Sequence, residues 1–423
     1  PSCSAVTYTG SSQTLFAAHT SGSYTNSALS GTDAGSYTVD LTPTSNYQWS
    51  SGSNVTSKRT LTCTINPKSV AVTWGDTTTF TYNGSAQAPS ASVATGVSGE
   101  TMTVTRTTGT NASTNNYTST ASCTSVSGGQ AKCSNYTLTG TTKTFKINAR
   151  AITVKASNQS KTYDGSALSA DTTCEITSGS LVSGHTLSCT STGSQTVLGS
   201  STKTLSTAKV MNGSTDVSGN YTITKANGTL TVNAKSVSVT WGTLTWTYDG
   251  SAHSTTASVT TGVSSETMTL SISNNSITYK GTQAVTASCS SVSGGQAKCG
   301  NYTLTNTGKT LTINAKAITI TAKDQTVTYG TAISKTTNDV TVATLASGDS
   351  LSAITLAQST TNATTSGTIT ASGATIKKGT TDVTSSYNIT YATGALTINR
   401  ATVAFPSCSA VTYTGSSQTL FAA

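Results

Sequence analysis

The chain has 423 residues, a net charge of +9, and only 9% charged and 6% aromatic residues. That length exceeds a single core, its scattered Lys and Arg form no nucleic-acid footprint, and no apolar run of about 18 residues is present to cross a membrane in this segment. Val, Ile, Thr and Tyr in alternating runs, with no stretch of helical apolar spacing, point to an all-β chain.

The opening stretch PSCSAVTYTGSSQTLFAA, at Pro1–Ala18, recurs letter for letter at Pro406–Ala423. The offset of 405 residues marks a window on a tandem array, and such periodicity is read before local structure. A shorter motif divides the window further. It reads VTYTGSSQ, FTYNGSAQ, KTYDGSAL, WTYDGSAH and the degenerate VTYGTAIS, then returns, with tyrosines at Tyr8, Tyr82, Tyr163, Tyr248, Tyr329 and Tyr413. The steps are 74, 81, 85, 81 and 84 residues. Each copy predicts a strand followed by a tight turn that needs a positive φ.

The modules in chain order are 1–66, which lacks its lead-in strand, 67–148, 149–233, 234–314 and 315–399, with 400–423 starting the next repeat. A closing signature ends each one. It is SNYQW at Ser45–Trp49 in the first, and Asn-Tyr or Ser-Tyr followed by Thr-rich alternation in the others, as in NYTITKANGTLTVN at Asn220–Asn233. The period-two pattern on both sides of a turn predicts a closing hairpin. The joints hold a small basic dyad and no Gly/Ser or Pro-rich spacer, so they are expected to be stiff. At roughly 30 Å per module, five would form a rod of at least about 150 Å. The second and fourth modules are sisters, sharing SVSGGQAKC and the pair TGVSGETMT and TGVSSETMT; the third and fifth open alike.

The TYDG opening, the NYTITKANGTLTVN closing and the module length resemble the YDG and MBG repeat domains of large bacterial surface proteins. The second and fourth modules are similar to the MBG type, and the third and fifth to the YDG type. The first, with AGSYTVDLTPTSNYQW at Ala34–Trp49, resembles the Ig-like repeats of the same adhesin-like proteins. The resemblance implies small Ig-like β-sandwich modules in a rod, with β-grasp-like all-β modules as the alternative. It also implies a secreted stalk or fibre, and it carries no catalytic residue.

The nine cysteines are Cys3, Cys63, Cys123, Cys133, Cys174, Cys189, Cys289, Cys299 and Cys408. Cys408 repeats Cys3, so its partner is expected in the next repeat. The remaining eight fall two per module in the first four, which predicts Cys3–Cys63, Cys123–Cys133, Cys174–Cys189 and Cys289–Cys299. Each such staple stabilises a small module by roughly 3 kcal/mol, and together they point to an extracellular, oxidising setting.

No catalytic, cofactor or metal site is expected. The three histidines match no cysteine pair in zinc spacing, and the acidic residues are sparse. Asp164 and Asp249 read as turn residues. Tyr8, Tyr82, Tyr163, Tyr248, Trp74, Trp241 and Trp246 read as core anchors with polar ends at the surface, with sugar-stacking platforms as the rival. Sequons at Asn54, Asn116, Asn212, Asn220 and Asn362 are expected from composition alone. The leading expectation is an extracellular filament or stalk whose partners are adjacent copies of the same repeat, end to end, with lateral fibre partners or glycans as further partners. The alternative is an adhesin binding host glycan or mucin through Ser21–Gly31 and Trp49–Val55. Arg400–Phe405 is expected to be the lead-in strand that Pro1 lacks, and Arg400–Ala423 is weighed as a strand donated between chains.

Overall fold

The computed structural model describes residues 1–52, 55–129, 132–296, 298–408 and 410–420. The Asn54 sequon, residues 53 and 54 of the Trp49–Val55 loop, and residues 409 and 421–423 of Arg400–Ala423 therefore lie outside the described residues. Among the described residues the only helical pieces are 3-10 turns of three residues. The chain divides into two compact units, one of Pro1–Ser160, Leu168–Gln195 and Ser200–Thr231, the other of Lys161–Ala167, Thr196–Gly199 and Val232–Ala423.

In the first unit, the opening module carries a four-stranded sheet in the order Val6–Thr7, Arg59–Asn66, Gly35–Pro43 and Tyr24–Thr25. Gln13–Phe16 pairs with Leu29–Gly31 beside it. The second module has one sheet of Thr101–Arg106, Tyr117–Ser127, Thr142–Asn148 and Thr79–Thr81, and another of Tyr136–Thr139, Lys68–Trp74 and Ala91–Val93. In the third, Arg150–Ala156 lies between Cys174–Ser178 and Tyr221–Ala226, and His185–Thr192 runs antiparallel to Gly199–Asn212.

The second unit repeats the plan. In its last module Lys316–Ala322 lies between Val340–Val342 and Tyr387–Ala392. The facing sheet runs Gln325–Thr328, Gly394–Asn399, Thr364–Lys378 and Asp349–Gln358. Ile318 and Ile320 from one sheet share a buried cluster with Leu356, Ile369, Leu396 and Ile398 from the other. The chain is all-β, a tandem array of small two-sheet sandwiches, because each alternating strand buries only one face. Closing strands end at Asn66, Asn148, Asn233, Asn314 and Asn399.

The expected closing hairpin is not formed. Tyr136–Thr139 pairs parallel with Lys68–Trp74, whereas Thr142–Asn148 pairs with Tyr117–Ser127 and Thr79–Thr81. The two halves of the signature lie in opposite sheets, joined by an arch at Gly140. Alternation reports which face is apolar, and an arch satisfies it as well as a hairpin because both inner faces meet one core. Ser45–Trp49 forms no strand, and neither does Arg400–Phe405. The backbone reason is that neither has a ladder partner.

The turn motif is built as expected. Gly165 adopts φ +83°, and in the degenerate fifth copy Gly330 adopts φ +86°. Asp164 and Asp249 each accept a hydrogen bond from the amide two residues on, at 2.9 and 2.8 Å, which is the Asx turn that favours Asp there.

The structure joins Cys3 to Cys63, Cys123 to Cys133, Cys174 to Cys189 and Cys289 to Cys299, with Cα separations of 5.4, 5.8, 6.3 and 5.8 Å. Cys408 is unpaired and exposed. Four disulfides place the folded chain in an oxidising compartment.

A buried lysine was not anticipated. Lys203 is fully buried, and its Nζ donates to Asp171 Oδ1 at 2.5 Å and reaches Ser157 O, Thr173 Oγ1 and Thr173 O within 3.3 Å. The ammonium, with Thr173, holds Asp171 down to about 2. A depressed carboxylate stabilises the fold above its unfolded pKa, and this contribution is lost as pH falls towards 2. Lys203→Met should cost about 2 kcal/mol by removing the charge-assisted hydrogen bonds of the ammonium and should flatten the acid limb of stability. Thermal unfolding of the variant at pH 3 and pH 7 checks both.

Candidate functional site

No buried constellation of catalytic or metal-binding groups emerges: the described residues hold no cluster of three or more His, Cys, Asp or Glu side chains. What recurs is a joint. In each of the first four modules the motif tyrosine leaves its own sandwich and ends against the following module. Its own backbone holds it, because Tyr8 N donates to Asn66 O at 3.0 Å and Tyr82, Tyr163 and Tyr248 do the same to Asn148, Asn233 and Asn314 at 2.8–2.9 Å.

At the first joint Tyr8 OH donates to Glu100 Oε1 at 2.6 Å and Tyr136 OH to Glu100 Oε2 at 2.5 Å. The two rings meet edge to face with centroids 5.5 Å apart, the arrangement their quadrupoles prefer. The third joint repeats this with Tyr163, Glu266 and Tyr302, the Tyr302 bond being 2.6 Å long and the rings again 5.5 Å apart. At the fourth, Asp349 Oδ2 accepts from Tyr248 at 2.9 Å and from Tyr387 at 2.7 Å. The second joint has no carboxylate: Tyr82 meets Tyr221 edge to face at 5.6 Å, and His185 Nδ1 lies 2.8 Å from Tyr221 OH.

A second contact accompanies each pair. The residue before the socket tyrosine accepts a backbone N–H from the preceding module. Asn135 accepts from Ala34 at 2.8 Å, Asn220 from Ala112 at 2.7 Å, Asn301 from Leu198 at 3.0 Å and Ser386 from Lys280 at 3.3 Å. These residues close 3-10 turns at Cys133–Asn135, Ser218–Asn220, Cys299–Asn301 and Thr384–Ser386. The Cys123–Cys133 and Cys289–Cys299 disulfides anchor two of those turns to the long strands Tyr117–Ser127 and Gly281–Ser293. The staples therefore fix the socket as well as the sandwich. Lys132 and Asp33 add an ion pair of 2.6 Å at the rim of the first joint, which is screened by solvent and contributes little.

Burial and the bond to Glu100 push Tyr8 up to about 12, and Tyr136 shifts the same way for the same causes. Tyr163 rises to about 12 through burial and Glu266. The turn glycine has a second reason to be glycine: a Cβ on Gly165 would lie 2.7 Å from Val263 Cγ1 of the fourth module. Buried clusters consequently run across the joints, with Tyr8, Ile65, Val70, Met102 and Tyr136 in one.

Tyr8, Tyr82, Tyr163 and Tyr248 are thus buried as expected, but their hydroxyls do not reach the surface; those of Tyr8, Tyr163 and Tyr248 end on carboxylates of the next module. Trp74 and Trp241 donate their indole N–H to Gly140 O and Asn306 O at 2.8 Å, and Trp246 stacks on His253 at 5.0 Å. Glu100 and Glu266 were missed. The available signal was that two of the three glutamates of the chain occupy matching places in the sister segments TGVSGETMT and TGVSSETMT. The Asn220 sequon is buried in a joint, whereas Asn116, Asn212 and Asn362 are exposed.

The first module carries a row of partly exposed rings. Phe16, His19 and Tyr24 lie within 5.0–6.4 Å of one another, Tyr24 lies 6.1 Å from Trp49, and Arg59 lies 5.9 Å over Trp49.

No family model and no curated protein matches the chain. Among solved structures, the crystal structure of Drosophila N-cadherin EC1-4 aligns with 66% of this chain and 82% of its own at 7% identity, with a TM-score of 0.17.

Proposed function

We propose that the chain is a load-bearing segment of an extracellular filament or stalk, of the kind formed by the YDG and MBG repeats of bacterial surface proteins. The observation that carries this reading is the recurrence of one tyrosine joint at four successive module boundaries. A protein selected for catalysis gathers its polar groups in one cleft; this one spends its buried hydroxyls and carboxylates on coupling neighbours. Parallel pairing of each lead-in strand with the socket strand ties the joint into the sheet. The disulfides limit how far a module can extend under load. Stretching the full chain should give discrete unfolding events. Reduction should lengthen the step of the first module by the 60 residues between Cys3 and Cys63. Gradual yielding without discrete events would exclude a load-bearing role.

A second reading, glycan binding, is favoured by the ring row Phe16, His19, Tyr24 and Trp49, since aromatic faces with a nearby Arg59 suit sugar stacking. A glycan array of the chain beside its Trp49→Ala variant separates the two: specific retention lost in the variant supports an adhesin.

A further inference from the structure

Of the motif tyrosines in the five modules 1–66 to 315–399, four are covered by the following module and the fifth is not. Tyr329 is held by the same backbone bond as the others, donating to Asn399 O at 2.8 Å. Its turn glycine has the same φ. Yet Tyr329 is 55% exposed where Tyr8 is 1%. It borders an open cleft of about 510 Å³ with Gly330, Lys335, Gln358 and Ile398. This is a finished plug without a socket.

The complementary half lies on the first module. Asn46 and Tyr47 occupy the sequence place of Asn135 and Tyr136, of Asn220 and Tyr221, and of Asn301 and Tyr302. Those pairs are buried in joints, whereas Asn46 and Tyr47 are exposed, Tyr47 to 55%. In modules two to five a lead-in strand pairs parallel with the socket strand; in the first module the described residues hold no strand there.

The missing strand has a candidate of matching pattern. Counted from the asparagine closing each preceding strand, the fourth and sixth residues are the buried ones: Val70 and Val72, Ile152 and Val154, Val237 and Val239, Ile318 and Ile320. After Asn399 those places fall on Val403 and Phe405, which are 89% and 94% exposed. The second residue always faces the socket tyrosine, as Lys68↔Tyr136, Arg150↔Tyr221, Lys235↔Tyr302 and Lys316↔Tyr387. That place is Ala401.

We propose that Arg400–Phe405 pairs, parallel and with Ala401 opposite Tyr47, beside Asn46–Trp49 of the first module of a second copy of this repeat, while Tyr329 packs edge to face on that Tyr47. The inference rests on the filament reading and adds the residues and register of its fifth joint. Strand addition supplies the backbone ladder, and Val403 and Phe405 enter the open edge of the core. The second copy keeps its own Val6–Thr7 strand, which is already paired with Ile65–Asn66. Only the lead-in segment is therefore donated, and the identical Pro1–Ala18 of the acceptor does not compete for its place.

The test uses the full chain with Cys408→Ser. Thr402 and Gln48 are the outward pair in this register, equivalent to Ser69↔Thr137. Thr402→Cys protein mixed with Gln48→Cys protein and oxidised at high concentration should give a dimer, in at least tenfold higher yield than Ala404→Cys with Gln48→Cys. Tyr329→Ala in the donor should lower that yield about tenfold. All these positions are exposed, and circular dichroism verifies that each variant folds. Equal yields from the two pairs, or no dimer at millimolar protein, would overturn the proposal. A chain that resists force in discrete steps yet fails to cross-link rejects this joint alone; one that cross-links but yields gradually rejects the filament reading alone.

Discussion

Glu266→Ala is expected to uncouple the third joint while leaving the sandwiches on either side folded. The substitution strands the hydroxyls of Tyr163 and Tyr302, both buried and both donating to that carboxylate. Hydrogen bonds to a charged group contribute about 1.5–3 kcal/mol each, so the two together amount to about 3–6 kcal/mol. Glu266→Gln keeps one good acceptor and should lose about half as much. The local reporter is the amide of Leu198, which donates across the joint to Asn301 Oδ1 at 3.0 Å. A loss of 3 kcal/mol in local stability raises its hydrogen exchange rate by roughly 100-fold. Glu100→Ala should do the same at the first joint, read at Ala34. Unchanged exchange at both amides would mean that ring packing alone holds the joints.

Alkali should open the same joints without any mutation. Tyr8 and Tyr163 are pushed up to about 12, and Tyr136, Tyr302, Tyr248 and Tyr387 are shifted upward from 10.0, in every case chiefly by burial and then by the carboxylate they bond. A tyrosine whose folded pKa is raised contributes stability that is intact below its unfolded pKa near 10 and is lost as pH rises through the folded value. Two such groups per joint give a slope of about 3 kcal/mol per pH unit. The joints should therefore open between pH 10 and about 12, with the ultraviolet tyrosinate signal rising in step with the loss of near-ultraviolet circular dichroism from the packed rings. The second joint pairs Tyr82 and Tyr221 with His185 in place of a carboxylate, and Tyr82 is raised by burial first. Its exchange reporter, Ala112, donates to Asn220 Oδ1 at 2.7 Å. A tyrosinate signal complete by pH 11 in folded protein would refute the coupling.

The disulfides make these experiments readable. Cys133 and Cys299 begin the turns that present Asn135 and Asn301, so a joint can open without its socket dissolving. Reduction removes that separation, and the two effects can be measured one after the other.

Local chemistry made the turn legible. A tyrosine, then Asn-Gly or Asp-Gly, needs few neighbours to define its backbone, and Asn83, Asp164 and Asp249 all form the expected side-chain turn bond. Cysteine placement was legible for a similar reason, because each bonded pair falls inside one module. The closing signature misled because period two reports faces without naming the partner strand, and Tyr136–Thr139 finds its partner at Lys68–Trp74, far back in the chain.

The sequence by itself determined the β class, the five-module period, the turn geometry and which cysteines share a module. Each of these depends on residues close together or on repetition. Only the tertiary structure decided what the tyrosines are for. Tyr8 meets a glutamate 92 residues later, Tyr163 one 103 residues later, and Ala34 an asparagine amide 101 residues later. No local propensity encodes such contacts. They arise because a buried hydroxyl must find an acceptor, and for these tyrosines the acceptor belongs to the next module.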